Sequence, residues 1–376
     1  MLSGINLTLM VGPVVPIPVP QSVLNALTSV TVTTASGMSA SGFELNFILS
    51  NQSPLHTIFL LAGGAMPPVM RVLIVATING TSNVLMDGVL LEVAVAPGGA
   101  GSHSTLTVRG MDLTAVMDLI DFSGVPYPAM PCFARVALIL AKYAALGILP
   151  LPIPEIVQDL PIPIDRIPRH QGKDLAYIQK LALECGYVFY LEPGPEPGMS
   201  VAYWGPEVKV GIPQPALNID MDAHTNVESL QFTFDKQHKT LPIIFIQEPA
   251  SKAILPIPIP DITPLNPPLG LIPPVPPKIE PLFDSVLSSP LQAVMQGVAT
   301  AARSADAVTA SGALNVLRYG NILKARRLVG VRGAGPAFDG LYYVSSVTHS
   351  IKRGEYKQQF QLARNGLVST IPRVAA

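Results

Sequence analysis

The side chains able to do chemistry are few and scattered along the chain. Six histidines (His56, His103, His170, His224, His238 and His349) occur singly. None has the partner four residues away that makes an H-E-x-x-H zinc site, so each reads as a structural or surface residue and not as a ligand. Cys132 and Cys185 are the only cysteines. They form no C-x-x-C pair and no disulfide framework. Cys185 falls on the apolar face of an expected helix, where a thiol packs as a small hydrophobe. Ser39 lies between Gly37 and Ser41, which leaves the G-x-S-x-G elbow of hydrolases incomplete. Gly98, Gly99 and Gly101 make a flexible turn without the strand-to-helix setting that binds phosphate. Asp220 and Asp222 read as solvated residues at a strand end, not as an acid/base pair, and there is no Walker loop. Catalytic triads need not be local in sequence. Even so, the residue inventory points away from an enzyme and assigns no catalytic, cofactor-binding or metal-ligating residue and no cofactor.

Composition points to burial in an assembly. Of 376 residues, 49% are hydrophobic and 13% charged, against about 25% charged in an ordinary globular domain. No apolar run reaches the roughly 18–20 residues of a membrane-spanning helix. The most apolar stretch, Ala134 to Ile164, contains Arg135, Lys142, Glu155 and Asp159 as well as several prolines. The N-terminus has no basic segment or cleavage pattern of a signal peptide, so the expectation is cytoplasmic synthesis. A soluble chain this poor in charge must hide apolar surface against neighbours. The net charge of −1 does not fit general nucleic-acid binding. Residues 318–364 are nonetheless basic. A solvated face, a contact to acidic neighbours and a nucleic-acid contact remain open for them.

The elements that must position these residues are mainly strands. Ser29–Thr34, Phe43–Leu49, Met70–Ile78, Val84–Val95 and Ser104–Val108 read as short strands of an antiparallel barrel or sandwich, with Asn79-Gly80 as a hairpin turn. Asp112–Asp121 is expected as a short helix capped by Asp112. Pro131–Leu149 is helical, and Gly147 can stop it. Asp174–Cys185 is a helix closed by Gly186. Strands follow at Tyr187–Leu191 and Ser200–Trp204, and β structure resumes over Asn218–Gln247. Leu149–Pro168 reads as extended and polyproline-like. Pro249–Pro281 is too rich in proline for a helix or a sheet centre. Ser285–Ala307 is helical, Asn315–Phe360 is a final β series, and no internal repeat is legible.

Three segments together resemble the late-control D family of phage proteins, which includes baseplate hubs of contractile tails and the N-terminal half of type VI spike proteins. The first comprises Phe43-Glu-Leu-Asn-Phe, Asp87-Gly-Val-Leu-Leu-Glu-Val and Ser104-Thr-Leu-Thr-Val-Arg-Gly-Met-Asp-Leu, similar to the family's first barrel with its G-x-D turn. The second is Arg169-His-Gln-Gly-Lys-Asp-Leu-Ala-Tyr-Ile-Gln-Lys-Leu-Ala-Leu-Glu-Cys-Gly-Tyr. It is similar to the D-x-x-F-L-x-x-L-A-x-x-x-G-Y helix and strand, with Tyr177-Ile178 where Phe-Leu is usual. The third runs from Gly340-Leu-Tyr-Tyr-Val-Ser-Ser-Val-Thr-His-Ser through Gly354-Glu-Tyr-Lys-Gln-Gln-Phe to Arg364 and resembles the closing strands.

The resemblance implies a mainly β protein with an α+β insertion. It implies two tube-like antiparallel β-barrels and a small helix–strand domain, assembled as a trimeric pseudo-six-fold ring. The expected division is a proline-rich arm (1–28), a first barrel (29–125) and an outer α+β domain (126–210) with a proline-rich segment (149–168). A second barrel follows (211–248 and 285–376), interrupted by a proline-rich insert (249–284). The implied role is structural: a baseplate hub that adapts a six-fold inner tube to a three-fold spike and lines the channel of a virion or virion-like particle. Its partners would be two further copies, a separate spike protein (since the sequence ends just past the second barrel), an inner tube ring and other baseplate proteins. The proline segments read either as rigid connectors or as arms gripping neighbours. A rival reading makes them apolar contacts of a surface- or membrane-associated binding module, and a weaker one is an unfamiliar hydrolase.

Overall fold

Alternation of apolar and polar residues sets the strands. In Gly42–Leu49, Phe43, Leu45, Phe47 and Leu49 are buried while the residues between them are not, the period-two pattern of a sheet with one covered face. The computed structural model describes residues 5–13, 15–37, 41–50, 53–61, 69–98, 103–155, 160–164, 167–247, 253–259, 267–282 and 290–371. The first lobe contains β1 (Ile5–Gly12), β2 (Leu27–Ala35), β3 (Gly42–Leu49), β4 (Arg71–Ile78), β5 (Thr81–Ala96) and β6 (Ser104–Asp112). Asn79 and Gly80, both at positive φ, close the β4–β5 hairpin as expected.

Asp112 ends β6 and caps a 3-10 turn over Leu113–Asp118, its carboxylate accepting the Thr114 N–H at 3.1 Å. An α+β insertion follows, with helix α1 (Cys132–Ala141), β7 (Ile148–Pro152), α2 (Asp174–Cys185), β8 (Val188–Pro193) and β9 (Ser200–Gly205). Gly147 and Gly186 stop the helical segments in the left-handed region. The second lobe opens with β10 (Gln214–Asn218) and β11 (Val227–Phe234). It is interrupted by β12 (Thr240–Gln247), β13 (Ile254–Pro258), β14 (Lys278–Leu282) and α3 (Pro290–Arg303). It resumes with β15 (Val308–Asn315), β16 (Leu328–Arg332), β17 (Gly340–Lys352) and β18 (Glu355–Arg364).

The two lobes repeat one topology. Their spatial orders are β2-β3-β6-β5-β4-β1 and β11-β15-β18-β17-β16-β10. In each lobe the order by chain position is second, third, sixth, fifth, fourth, first. Two register shifts coincide as well, although the shift between Ile74 and Val75 in the first lobe has no counterpart. A shift falls between Leu90 and Glu92 against Gly110 and Arg109, and between Val344 and Ser346 against Leu362 and Gln361. A second shift falls between Leu27 and Ser29, and between Val227 and Ser229. The lobes differ at one end, where β1 meets β4 antiparallel and β10 meets β16 parallel. The second half of β17 leaves β16 and pairs with β2, Ser346 opposite Ala35 through Lys352 opposite Ser29. Both lobes therefore belong to one sheet with one continuous apolar core.

Several segments differ from the sequence reading. Ile5–Gly12, read as part of an arm, is a sheet strand bonded along its length to β4. The proline-rich segments stay out of sheet centres, and parts of them pair as edge strands, where a missing N–H costs no ladder bond. β7, with Pro150 and Pro152, flanks β9. β13 and β14 flank β12 in a small sheet. β12, assigned to the second barrel, belongs to this small sheet, whose core includes Ile244, Ile259 and Ala293.

Two buried arginines bind the parts together. Arg71 pairs with Asp87 through two short bonds (2.7 and 2.6 Å) and also donates to Gly198 O at 2.8 Å in the β8–β9 hairpin. Arg326, 9% exposed, joins all three units. It donates to Ala35 O at 3.0 and 2.6 Å in the first lobe and to Leu191 O at 3.1 Å in the insertion, and its guanidinium lies 4.0 Å over the Tyr190 ring. Replacing Arg326 with Leu strands those carbonyls, at an expected cost of about 3–5 kcal/mol. Arg326→Lys rescues little, because one ammonium cannot span both carbonyls and lie over the Tyr190 ring. Urea midpoints at constant slope test this; a loss under about 1 kcal/mol in Arg326→Leu contradicts it.

Candidate functional site

The repeat exposes what the fold leaves open. The C-terminal half of β5, Glu92–Ala96, pairs with β6 on one side and with no strand on the other among the described residues. Its counterpart in β17 is covered by β2. The outer edge of β11 is likewise open, while its counterpart β2 is paired. Side-chain burial follows the difference. Val30, Val32 and Val347 are at most 1% exposed. Their counterparts Leu230, Phe232 and Val93 are only half-buried, and Val95, the counterpart of His349, is 44% exposed. Open strand edges flanked by half-covered apolar side chains are pairing surfaces.

The other face of the sheet is polar and nearly neutral. It carries short hydroxyl and amide side chains such as Thr33, Thr107, Thr348, Gln231 and Gln359. They bond sideways across strands: Thr33 and Thr348 hydroxyls lie 3.2 Å apart, and Thr107 donates to Asn46 at 2.7 Å. In the first lobe Arg109 lies 2.8 Å from Glu44 and 3.5 Å from Glu92 and offsets one of these two negative charges.

The basic run 318–364 is not one free positive face. Arg326 is buried, and Arg364 donates to three backbone carbonyls (Gly366, Asp339 and Ala337) at 2.7, 3.0 and 2.8 Å. Lys357 is shared between Glu228 and Glu355, and Arg327 lies 3.5 Å from Glu192.

The most concentrated polar chemistry lies inside the insertion. Asp174, fully buried at the start of α2, accepts from Tyr143 at 2.6 Å and meets Lys142 at 2.5 Å. His170 Nε2 stands 3.4 Å from Asp174, and its Nδ1 bonds Tyr127 OH at 2.9 Å. Burial pushes the Tyr127 hydroxyl up to about 12 and lowers His170 below its ordinary value. Tyr177 stacks on Tyr127 and accepts from Arg135 at 2.9 Å. Arg135 reaches Cys132 Sγ at 3.1 Å. Cys132, Glu155 and Cys185 close the seam, their ligand atoms all within 4.8 Å of one another. The neighbouring Cys132 thiol, followed by burial, pushes the Cys185 thiol up.

Of the residues weighed from sequence, only His170, Cys132 and Cys185 enter this seam. His103, His224 and His238 are exposed, and His56 opens a helical turn over His56–Leu61. Asp220 and Asp222 shape a tight turn at positive φ. Gly98 lies in an exposed turn; Ser39, Gly99 and Gly101 fall outside the described residues. Glu155 escaped the sequence reading because nothing local marks it; 22 residues separate it from the Phe133 N–H that its carboxylate accepts at 3.1 Å. No helix among the described residues is long and apolar enough to cross a membrane.

No protein-family model and no curated protein matches the sequence. Solved structures do match the fold. A tail protein from Neisseria meningitidis MC58 is 13% identical, with a TM-score of 0.62 over 97% of this chain and 98% of its own. The 43 kDa tail protein of prophage MuSo2 from Shewanella oneidensis is 13% identical, with a TM-score of 0.59 over 96% and 98%. The c3393 protein of E. coli is a type VI secretion system component with structural similarity to the T4 tail proteins gp27 and gp5. It is 11% identical, with a TM-score of 0.54 over 92% of this chain and 77% of its own. The chain therefore has the mainly β fold of phage tail proteins, with a large antiparallel sheet.

His349 faces the core from β17, bonded to Tyr356 OH at 2.8 Å, and burial lowers its pKa from 6.5 to about 4. The unfolded chain takes up this proton first as pH falls. The stabilisation is complete above about 6.5 and drains away between about 6.5 and 4, by about 3 kcal/mol in all. Urea titrations across that range, compared with His349→Gln, isolate the effect: the variant lacks this slope, and an unchanged slope contradicts the assignment.

Proposed function

We propose that this chain is a structural hub in the baseplate of a contractile injection system. Three copies form a ring whose six lobes adapt a six-fold inner tube to a three-fold spike. The tail-protein fold supports a structural part in such a particle. The observation that carries the hub reading is the twin lobe: one topology with matching register shifts occurs twice per chain, so three chains supply six near-equivalent units. Each lobe closes as a tube-like barrel wall when its open edge is covered.

The covered seam supplies the template for the open one. Transferring the β17–β2 register to β5 and β11 sets Val95 opposite Phe232, Val93 opposite Phe234 and Ala94 opposite Thr233 of a neighbouring copy. This pairing buries the half-covered apolar side chains and removes both exposed edges. The polar, nearly neutral face then lines the central channel, where short hydroxyl and amide groups offer no strong charge to passing cargo. Loop residues beside prolines are exposed and apolar, including Ile164 and Ile212 (each 94% exposed) and Val275 (85%). These suit docking onto the inner tube, the spike or other baseplate proteins, since preformed extended backbone loses little entropy on binding. The role requires no catalysis.

The seam gives two tests. Ala94→Cys together with Thr233→Cys is expected to yield oxidised dimers and closed trimers on a denaturing gel, while either single variant yields no ladder. Val95→Asp is expected to keep the isolated chain's stability within about 0.5 kcal/mol and to abolish the trimer in light scattering. A Val95→Asp protein that still forms trimers, or a wild-type chain that stays monomeric at high concentration, overturns the pairing.

A further inference from the structure

We infer that Cys132, Cys185 and Glu155 form a binding site for a zinc-class divalent cation. This inference stands independently of the hub reading. The three residues come from three elements. Cys132 is the first residue of α1, Cys185 is the last residue of α2, and Glu155 sits on the strap that follows β7. Their ligand atoms all lie within 4.8 Å of one another. Cys185 Sγ is 3.8 Å from Glu155 Oε1, close to the roughly 3.6 Å separating sulfur and oxygen on one tetrahedral zinc at ordinary bond lengths. Glu155 is 6% exposed and Cys185 8%, while Cys132 is half-buried and forms the rim through which an ion can enter.

Two further observations ask for a cation. Glu155 Oε2 is buried without a hydrogen-bond partner, a costly state for a carboxylate oxygen unless a ligand takes its lone pairs. Arg135 is 7% exposed and donates to Cys132 Sγ at 3.1 Å, as an outer-shell donor to a metal-bound thiolate does. Charge then balances. Two thiolates and a carboxylate carry three negative charges, and a divalent cation with the guanidinium carries three positive ones. Binding releases both thiol protons to solvent and changes no oxidation state. Two sulfurs and one oxygen favour zinc over the hard cations magnesium and calcium. A Cys132–Cys185 disulfide is the competing use of these thiols, but it would leave the buried Glu155 Oε2 without a partner. The ion would pin α1, α2 and the proline strap together and keep a fourth position for water.

The test uses the full chain, purified under reducing conditions without chelator. Elemental analysis is expected to find about one zinc per chain. Cobalt added to metal-free protein should give a thiolate-to-cobalt charge-transfer band that Cys185→Ser removes. Glu155→Gln should weaken cobalt binding more than tenfold, and Arg135→Met about 10- to 100-fold. If Cys185→Ser fails to fold, the wild-type band and the Glu155→Gln titration still decide. The inference is overturned if wild-type protein binds neither zinc nor cobalt, if Glu155→Gln binds cobalt as wild type does, or if mass spectrometry finds the two cysteines disulfide-bonded in the isolated protein.

Discussion

The architecture hangs on one buried guanidinium. Arg326 stands where the first lobe, the second lobe and the insertion meet, and its donors reach backbone carbonyls of the two units it does not belong to. The residue adopts a left-handed backbone, φ +64, which a non-glycine residue holds only where surroundings over-determine it. A carbonyl acceptor is fixed by the path of the main chain, so this contact ties backbones directly and is indifferent to which side chains pack nearby. Arg71, paired with Asp87, also ties the first lobe to the same β8–β9 hairpin through Gly198 O, and Ser200 adds a bond to the carboxylate at 3.2 Å. The core shared by the two lobes and the separate core of the insertion are thereby held in one frame.

A second constraint lies in the extra residues of β5 and β17. A bulge bends its strand and sharpens its twist. In β17 it comes where the strand parts from β16 and takes up β2, so one strand serves two neighbours in succession. In β5 the same irregularity sits at the same place, and the strand beyond it has no partner on its second side among the described residues. The geometry for a neighbour is thus built twice and filled once within the chain.

Much of this was legible in the sequence. Period-two alternation marked strands over Phe43–Leu49 and Leu230–Phe234, the Asn79-Gly80 turn marked a hairpin, and Gly147 and Gly186 marked helix ends. Two things escaped. The internal repeat left no trace because its matching positions hold different residues: Gly110 answers to Leu362, Val32 to Phe232, and Arg109 to Gln361. What is preserved is a hydrogen-bond register, which many sequences satisfy. The proline-rich stretches read as extended and unfit for a sheet centre, but not as the paired strands β7 and β13; an edge strand needs only one side of its ladder, and no local feature tells a paired edge from a free extended segment. The polar seam was hidden for another reason. Cys132, Glu155, Asp174 and Cys185 are spaced by loops and helices of unremarkable length, and only the fold of the insertion brings them together.

The β17–β2 junction has a consequence for how a closed ring would come into being. Six separate lobes would have to meet through five successive associations, each losing the translational and rotational freedom of a free body, on the order of 4–15 kcal/mol apiece. With two lobes fused on one chain and half of the seams made during folding, only two such encounters remain. The seams also cease to be interchangeable: a ring under load parts at the three joints between chains and not at the three within them.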